Sequence, residues 1–441
     1  MATLNAGISA VDRAYALRLA SKSDDAARAA IAVLEANPHA FDAAVLIAQL
    51  LIEKRRGTVA GDALGRLADA FVRRGDLAQA IAAVRIAAQA GKNVLPLEEA
   101  IAKAFSKDSP RLSEVHVSPP PLLKAAAAGK DLAALSGDAL WQRAERALET
   151  VIKHPDAASP TGPIPRWPLF SELGAEDLHA FLKSLSVRDA AEGEVIIQQD
   201  DHGNEAFLVV RGMAKVIKRT AAEETVLALL GPGSLFGEMA LVTEAPRAAS
   251  VVAVEGVRFL VLTRVALEKL VSANPAVGDR LGEFCHQRML SNLMRTSPVF
   301  QPLNAERQKA LMAKFVPHTF QAGETLVKRG EPPRSMYVIA SGAVEVRALD
   351  GDGDQVHVAT LGPGDVVGEI GVVLRKPATA HAIASHPTVT LELPQKAFNE
   401  AIAEYPELLQ KMYPLAVERD DQIRSLLAQA TLELGDIDIL L

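Results

Sequence analysis

Cysteine is nearly missing from this 441-residue chain: Cys285 stands alone, so no disulfide can close within it and a disulfide-framed fold is excluded. There is no basic surplus either. The 47 lysines and arginines face 54 acidic residues, a formal charge of -7, which leaves the totals without the footprint of nucleic-acid binding. Long apolar runs are lacking too, since the densest, Ala43 to Ile52, falls far short of the roughly 20 residues needed to cross a bilayer. Residues 1–20 have no basic start followed by an apolar run, so a reducing, cytoplasmic setting is expected. No phosphate-cradling P-loop, nucleophile elbow or kinase glycine-rich loop is found. The expectation is a protein that is not an enzyme.

What remains is the composition of an ordinary globular chain, 49% hydrophobic and 23% charged. At about 100 to 200 residues per domain the length suggests three units. From Ala10 to about Phe105 the sequence is alanine-rich with helical spacing and almost no β-branched alternation, so residues 1–105 are read as an all-α domain. Leu67, Ala68, Phe71, Gly75, Asp76, Ala80, Val84 and Ala87 resemble a tetratricopeptide helix pair, with Gly75 and Asp76 at the turn. Ala14 to Pro38 resembles it less well, and a generic helical bundle is the alternative. Residues 106–167 hold proline clusters at Pro119 to Pro121 and Pro155 to Pro168 around one helical patch, Ala139 to Ile152. Proline lacks an amide donor and fixes its own φ, so this stretch is read as a linker with one helix.

After Pro168 the chain repeats itself. Pro168-Leu169-Phe170 returns as Pro298-Val299-Phe300, Gly193-Glu194 as Gly323-Glu324, and Gly212 as Gly342, each at an offset of 130 residues. Gly231-Pro232-Gly233 returns as Gly362-Pro363-Gly364, at 131. One residue was therefore inserted between, among Asp350, Gly351, Asp352 and Gly353, whose types favour tight hairpins. In the first copy, short runs at 194–197, 206–210, 214–217, 225–229, 249–254 and 259–262 are separated by Gly, Asp and Pro. Such spacing predicts a small antiparallel jelly roll, flanked by helices at 175–185 and 265–295. The fold class expected is multidomain α+β: an N-terminal all-α helical repeat, then two β jelly-roll barrels with flanking helices, at 168–296 and 297–441. The second ends in an acidic helical stretch, Gln395 to Leu434, with no helix-turn-helix.

Within the first copy, Gly233-Ser234-Leu235-Phe236-Gly237-Glu238-Met239-Ala240-Leu241 is followed by Ala245-Pro246-Arg247-Ala248-Ala249-Ser250. This closely resembles the phosphate-binding cassette of the cyclic-nucleotide-binding domain family, which includes the catabolite activator protein and the regulatory subunits of the cyclic-AMP-dependent protein kinase. The resemblance covers about Pro168 to Pro275. It implies that Glu238 holds the ribose 2′-hydroxyl and Arg247 the cyclic phosphate, with Phe236, Gly237, Met239, Ala240, Ala248 and Ala249 completing the site.

The chemistry agrees. A 3′,5′-cyclic nucleotide carries one negative charge and one free ribose hydroxyl, so one guanidinium fork and one carboxylate suffice, each charge-assisted bond contributing roughly 1.5 to 3 kcal/mol. Gly237 lacks a Cβ, so the backbone can approach the ligand, and the turn at Met239 to Leu241 can aim amides at the anion. The bland alternative, a structural Glu238–Arg247 ion pair, has little to favour it, because desolvation tends to cancel the attraction. The resemblance also implies cyclic AMP over cyclic GMP: Ala248 resembles the cyclic-AMP type among the kinases, where a threonine would offer guanine a hydroxyl.

The second copy, Gly364-Asp365-Val366-Val367-Gly368-Glu369-Ile370-Gly371, keeps Gly368 and Glu369 but has Ala378 at the arginine position. A degenerate site is expected there, with Arg375 or Lys376 in the turn as the candidate substitutes. His357, His381 and His386 with Glu369 lack a compact metal-ligand pattern, so no metal is expected. The leading reading is a cyclic AMP receptor, acting through interdomain helices on a protein partner met by the N-terminal helices, without nucleic acid or membrane insertion. The alternatives are a ligand-free interaction scaffold and a regulatory subunit of a separate enzyme.

Overall fold

The structure, a computed structural model, describes all residues except 1–8, 114–129, 154–161, 168–169, 220–223, 243–245, 297–298, 301–302, 351–352 and 436–441. It divides into two compact units: Met1–Gln199 with Asn204–Leu241 and Ala249–Gly282, and Asp200–Gly203 with Val242–Ala248 and Glu283–Leu441.

The first unit opens with helices Ala10–Leu19, Ser23–Ala36, Phe41–Glu53, Gly57–Arg74, Leu77–Gln89 and Leu95–Phe105. Local signals set their ends. Ser9 and Asp12 form a reciprocal capping box at the start of Ala10–Leu19. At the expected helix-pair turn, Gly75 closes Gly57–Arg74 in the left-handed conformation (φ +79°) and the Asp76 side chain accepts from the Gln79 amide. A Cβ on Gly75 would meet Pro165 Cδ at 2.6 Å, so glycine is required twice over. The helix pair is thus present; its tetratricopeptide likeness remains one of sequence.

The stretch 106–167 is more than a linker. Its helix, Gly137–Lys153, buries Leu140, Trp141, Ala144 and Leu148 and lies against Ser23–Ala36, Phe41–Glu53 and Gly57–Arg74. It belongs to the helical core because its apolar positions recur at three and four residues and need a partner surface. Leu112–Ser113 also pairs in parallel with Ile164–Pro165, and the Trp167 indole donates to the Gly75 carbonyl at 3.1 Å. Pro119 to Pro121 lie outside the described residues.

Each repeat copy forms two four-stranded antiparallel sheets. In the first copy the strand orders are Ser186–Ala190, Val257–Thr263, Glu205–Arg211, Leu235–Phe236 and Val195–Ile197, Ser250–Ala253, Ala214–Arg219, Glu224–Leu230. In the second they are Val316–Phe320, Thr388–Pro394, Ser335–Ser341, Val366–Val367 and Thr325–Val327, His381–Ala384, Val344–Leu349, Gln355–Leu361. The topology is the same in both. All six expected strands of the first copy are present; Ser186–Ala190 and Leu235–Phe236 are additional. Phe207, Phe236 and Phe259 fill the first barrel, with Phe207 stacked on Phe236 at 5.2 Å between ring centres.

The helical stretch expected at 265–295 is two helices, Arg264–Ala273 and Pro275–Thr296. Asn274 precedes a proline and is pushed into extended backbone (φ -144°, ψ 96°), which breaks the helix there. Tyr405 before Pro406 does the same, splitting the C-terminal stretch into Gln395–Glu404 and Pro406–Gly435.

A buried ionic cluster joins the helical region to the first barrel. Arg258, 1% exposed, donates to both carboxylate oxygens of Asp189 on the adjacent strand, at 2.7 and 3.0 Å. From the helices, Arg18 donates to the same carboxylate at 2.7 Å, and Gln49 accepts from Arg258. Arg211 pairs with Asp12 and stacks over the Tyr15 ring at 3.5 Å. Burial alone would raise the Asp189 pKa, but Arg258 and Arg18 overcome it and hold the carboxyl well below the usual carboxylate range.

Candidate cyclic-nucleotide site

In the first copy the strand Leu235–Phe236 pairs with Glu205–Arg211 and delivers the chain to Gly237, which turns it with φ +74°. Glu238 follows, 4% exposed, and then the single helical turn Met239–Val242. Phe236 and Ala240 are buried, while Gly237 and Met239 are half-buried. Arg264, which sequence reading passed over, donates from Nε to the Ala240 carbonyl at 3.1 Å. It ties the cassette turn to the helix that leaves the barrel.

Arg247 has its own support. Its amide donates to the Asp201 carbonyl at 2.9 Å, and the Asp200 amide donates back to the Arg247 carbonyl at 2.9 Å. A Cβ on Gly203 would collide with the Arg247 guanidinium, so the side chain lies across that glycine. Ala248 is exposed and Ala249 half-buried.

The second copy reproduces this backbone with different side chains. The Ala378 amide donates to the Glu331 carbonyl at 3.0 Å and the Gly330 amide to the Ala378 carbonyl at 2.8 Å, the same ladder that holds Arg247. Ala378 therefore occupies the arginine position in space as well as in sequence. Gly368 turns the chain with φ +83°, and a Cβ there would meet the Ser335 carbonyl oxygen at 2.9 Å.

Glu369 opens the helix Glu369–Leu374 and is 3% exposed. Arg419, from Pro406–Gly435, donates to Glu369 at 2.9 Å and to the Val366 carbonyl at 2.7 Å. Burial raises the Glu369 pKa, and Arg419 only partly offsets it. On the same helix, Asp420 pairs with Lys376 and with Arg424, and Ile423 packs with Ala348 and Ala380. Between this helix and the barrel lies a cavity of about 290 Å³. Neither expected substitute cation serves an anion there: Arg375 is exposed and Lys376 is committed to Asp420.

The histidines are held locally. His357 contacts Thr360 Oγ1 at 3.0 Å, His381 Nδ1 faces the Arg329 amide at 3.4 Å, and His386 contacts Ser385 at 3.1 Å. Among the described residues no group of three or more His, Cys, Asp or Glu could hold a metal ion. Among them, too, no helix is long and apolar enough to cross a membrane.

The family model of the cyclic nucleotide-binding domain matches residues 187–274 and 317–405. The chain is 27% identical over 244 residues to the cAMP-dependent protein kinase type II regulatory subunit of Drosophila melanogaster, covering 55% of this chain and 61% of that one. It is 31% identical over 218 residues to the cAMP-dependent protein kinase regulatory subunit of Yarrowia lipolytica, covering 49% and 54%. The chain thus spans between one half and two thirds of the length of these relatives. The regulatory domain of Toxoplasma gondii PKA, solved with cAMP, matches with 23% identity and a TM-score of 0.29, covering 57% of this chain and 92% of that one. The two matched segments coincide with the two duplicated barrels and their cassettes, and the chain accordingly carries two cyclic nucleotide-binding domains in tandem.

Proposed function

We propose that the chain is a regulatory cyclic-nucleotide receptor that binds cyclic AMP in its first barrel and acts on a protein partner, a kinase catalytic chain. The observation that carries this is the unequal pair of cassettes: Glu238 and Arg247 stand in the first, Glu369 and Ala378 in the second. Glu238 accepts from the ribose 2′-hydroxyl, Arg247 forks onto the cyclic phosphate, and the amides of the turn after Gly237 face the anion. Phe236, Met239, Ala240, Ala248 and Ala249 shape the walls. The chain has no catalytic role of its own in this reading and works in the cytoplasm.

Support for a kinase partner comes from the relatives, which are named as regulatory subunits. The helices Arg264–Ala273 and Pro275–Thr296 follow directly from the last strand of the first barrel and carry the signal onward. Arg264, bonded to the cassette carbonyl of Ala240, is the first link. Calorimetry of the full chain with cyclic AMP tests the proposal: one equivalent should bind, and Arg247→Ala should weaken it at least 100-fold. No heat at millimolar ligand, a range corresponding to about -4 kcal/mol, would overturn it.

A further inference from the structure

An antiparallel sheet that packs one face on a core and shows the other to water alternates apolar and polar residues along each strand. In the first-barrel sheet of Val195–Ile197, Ser250–Ala253, Ala214–Arg219 and Glu224–Leu230, Val216 and Leu230 pack on the barrel core. The alternate positions face outward. Val195, Val252, Lys215 and Leu229 are cross-strand partners in one row across all four strands, and Ile217 with Val226 stands in the next. Of these six only Lys215 is polar. Val195 is 47% exposed, and Leu229 and Val226 are each 55% exposed.

The second barrel supplies the control. Its matching row is Thr325, Ile383, Glu345 and Thr360, and Arg347 with His357 takes the next. These groups bond to one another: Arg347 donates to Glu345 at 3.0 Å and to Gln355 at 3.2 Å, and His357 contacts Thr360 at 3.0 Å. One register thus presents a polar face in one copy and an aliphatic face in the other. Contiguous exposed aliphatic surface is what association sites present.

We propose that the outward face of this first-barrel sheet is where two copies of the chain meet, sheet on sheet about a twofold axis. The inference is independent of ligand binding in either barrel. A twofold contact lays the patch on itself, so a charge on the axis would meet its own copy. Lys215 escapes this because it stands to one side. An axis along Ser250–Ala253 lays Val252 on Val252 and sets each Lys215 over the other copy's Val195. Val195 is on an edge strand, so the lysine stem packs on it while the ammonium reaches water. A patch this small falls short of the roughly 20 to 30 residues per side of a standard interface, so the dimer forms only at micromolar concentration or above.

Sedimentation equilibrium of the full chain from about 1 to 500 µM tests the proposal. Dimer should accumulate with concentration. Leu229→Glu and Val195→Glu should each weaken it at least tenfold, while Thr360→Glu, at the matching place in the second barrel, leaves it unchanged. Both altered side chains are already half in solvent, so the variants should keep the thermal midpoint of the unaltered chain. A cross-link provides a second reading that needs no charged variant. Val252→Cys, treated with a bis-maleimide spanning about 10 Å, the separation of stacked sheets, should give a covalent dimer, and Ile383→Cys should not. A chain that is monomeric throughout overturns the proposal, as does a dimer indifferent to both glutamates, or one that Ile383→Cys links as readily as Val252→Cys. A monomeric chain that binds phosphatidylserine vesicles, and loses them in Leu229→Glu, would assign the face to a membrane and overturn it equally.

Discussion

The two barrels share their strand order and their hydrogen-bonded ladders, and they differ in which face of the sandwich has been given work. Asp189, Arg211 and Arg258 of the first barrel stand in register on adjacent strands. The corresponding positions of the second, Thr319, Ser341 and Val389, stand in the same register. Three charged residues therefore mark the sheet of the first copy that receives the helical region, and three uncharged ones stand at the matching positions of the second. On the cassette side the contrast runs the other way. The first barrel keeps a guanidinium from its own loop, Arg247, while the second takes one from its C-terminal helix, Arg419. The strand order and register are the same with either set of side chains.

The largest effect that would break this comparison is Arg258→Ala. It removes the two-bond partner of Asp189, leaving Arg18 as the cation on that carboxylate, and should cost the first unit about 3 kcal/mol, while Val389→Ala should cost the second no more than about 1.5 kcal/mol, the value of a trimmed aliphatic group that is not fully buried. Urea unfolding with a fluorescent probe in each unit would separate the two; equal losses would show that the charged seam adds nothing. Next is Arg419→Ala, which removes the charge-assisted partner of Glu369 and should destabilise the second unit by about 1.5 to 3 kcal/mol, with no change in cyclic AMP affinity of the first barrel.

The seam should also respond to pH. The folded Asp189 carboxyl has a depressed pKa, so its contribution is in place above the ordinary carboxylate value of about 4 and is lost as pH falls below it. The stability gap between the unaltered chain and Asp189→Asn should therefore be widest near neutrality and close progressively below about pH 4. A gap that widens in acid would contradict the assignment. The smallest effect concerns the base: Ala248→Thr supplies one hydroxyl and should shift preference toward cyclic GMP by about 1 kcal/mol, roughly fivefold, in competition binding.

Much of this was legible because a duplicated sequence serves as its own control. The offset of 130, then 131, located both barrels, and the spacing of nine residues from the cassette acid identified Ala378 as the counterpart of Arg247. The two strands not foreseen escaped for physical reasons. Leu235–Phe236 is two residues long, and Ser186–Ala190 carries Arg188 and Asp189 where a strand reader expects apolar alternation. Arg419 was invisible because its partner Glu369 lies 50 residues away, and no helical or strand period links them. The ionic seam had one signal that could have exposed it, the replacement of Thr319, Ser341 and Val389 by charged residues in the other copy. Charges on one sheet face of one copy alone ask for an explanation that solvent does not supply.

That seam has a consequence for how the helices and the first barrel could part. A joint made of leucines leaves two greasy wounds when it opens, and both halves aggregate. Here the charged part of the barrel side is Asp189, Arg211 and Arg258, groups that water accepts readily once the strands are bare, beside the contacts of Leu77–Gln89 with the same strands. On the helical side, Tyr15 and Gln49 each keep a polar end for solvent. The joint is strong while closed, because no member can be removed alone, and forgiving once open. It has the character of a clasp, not a weld.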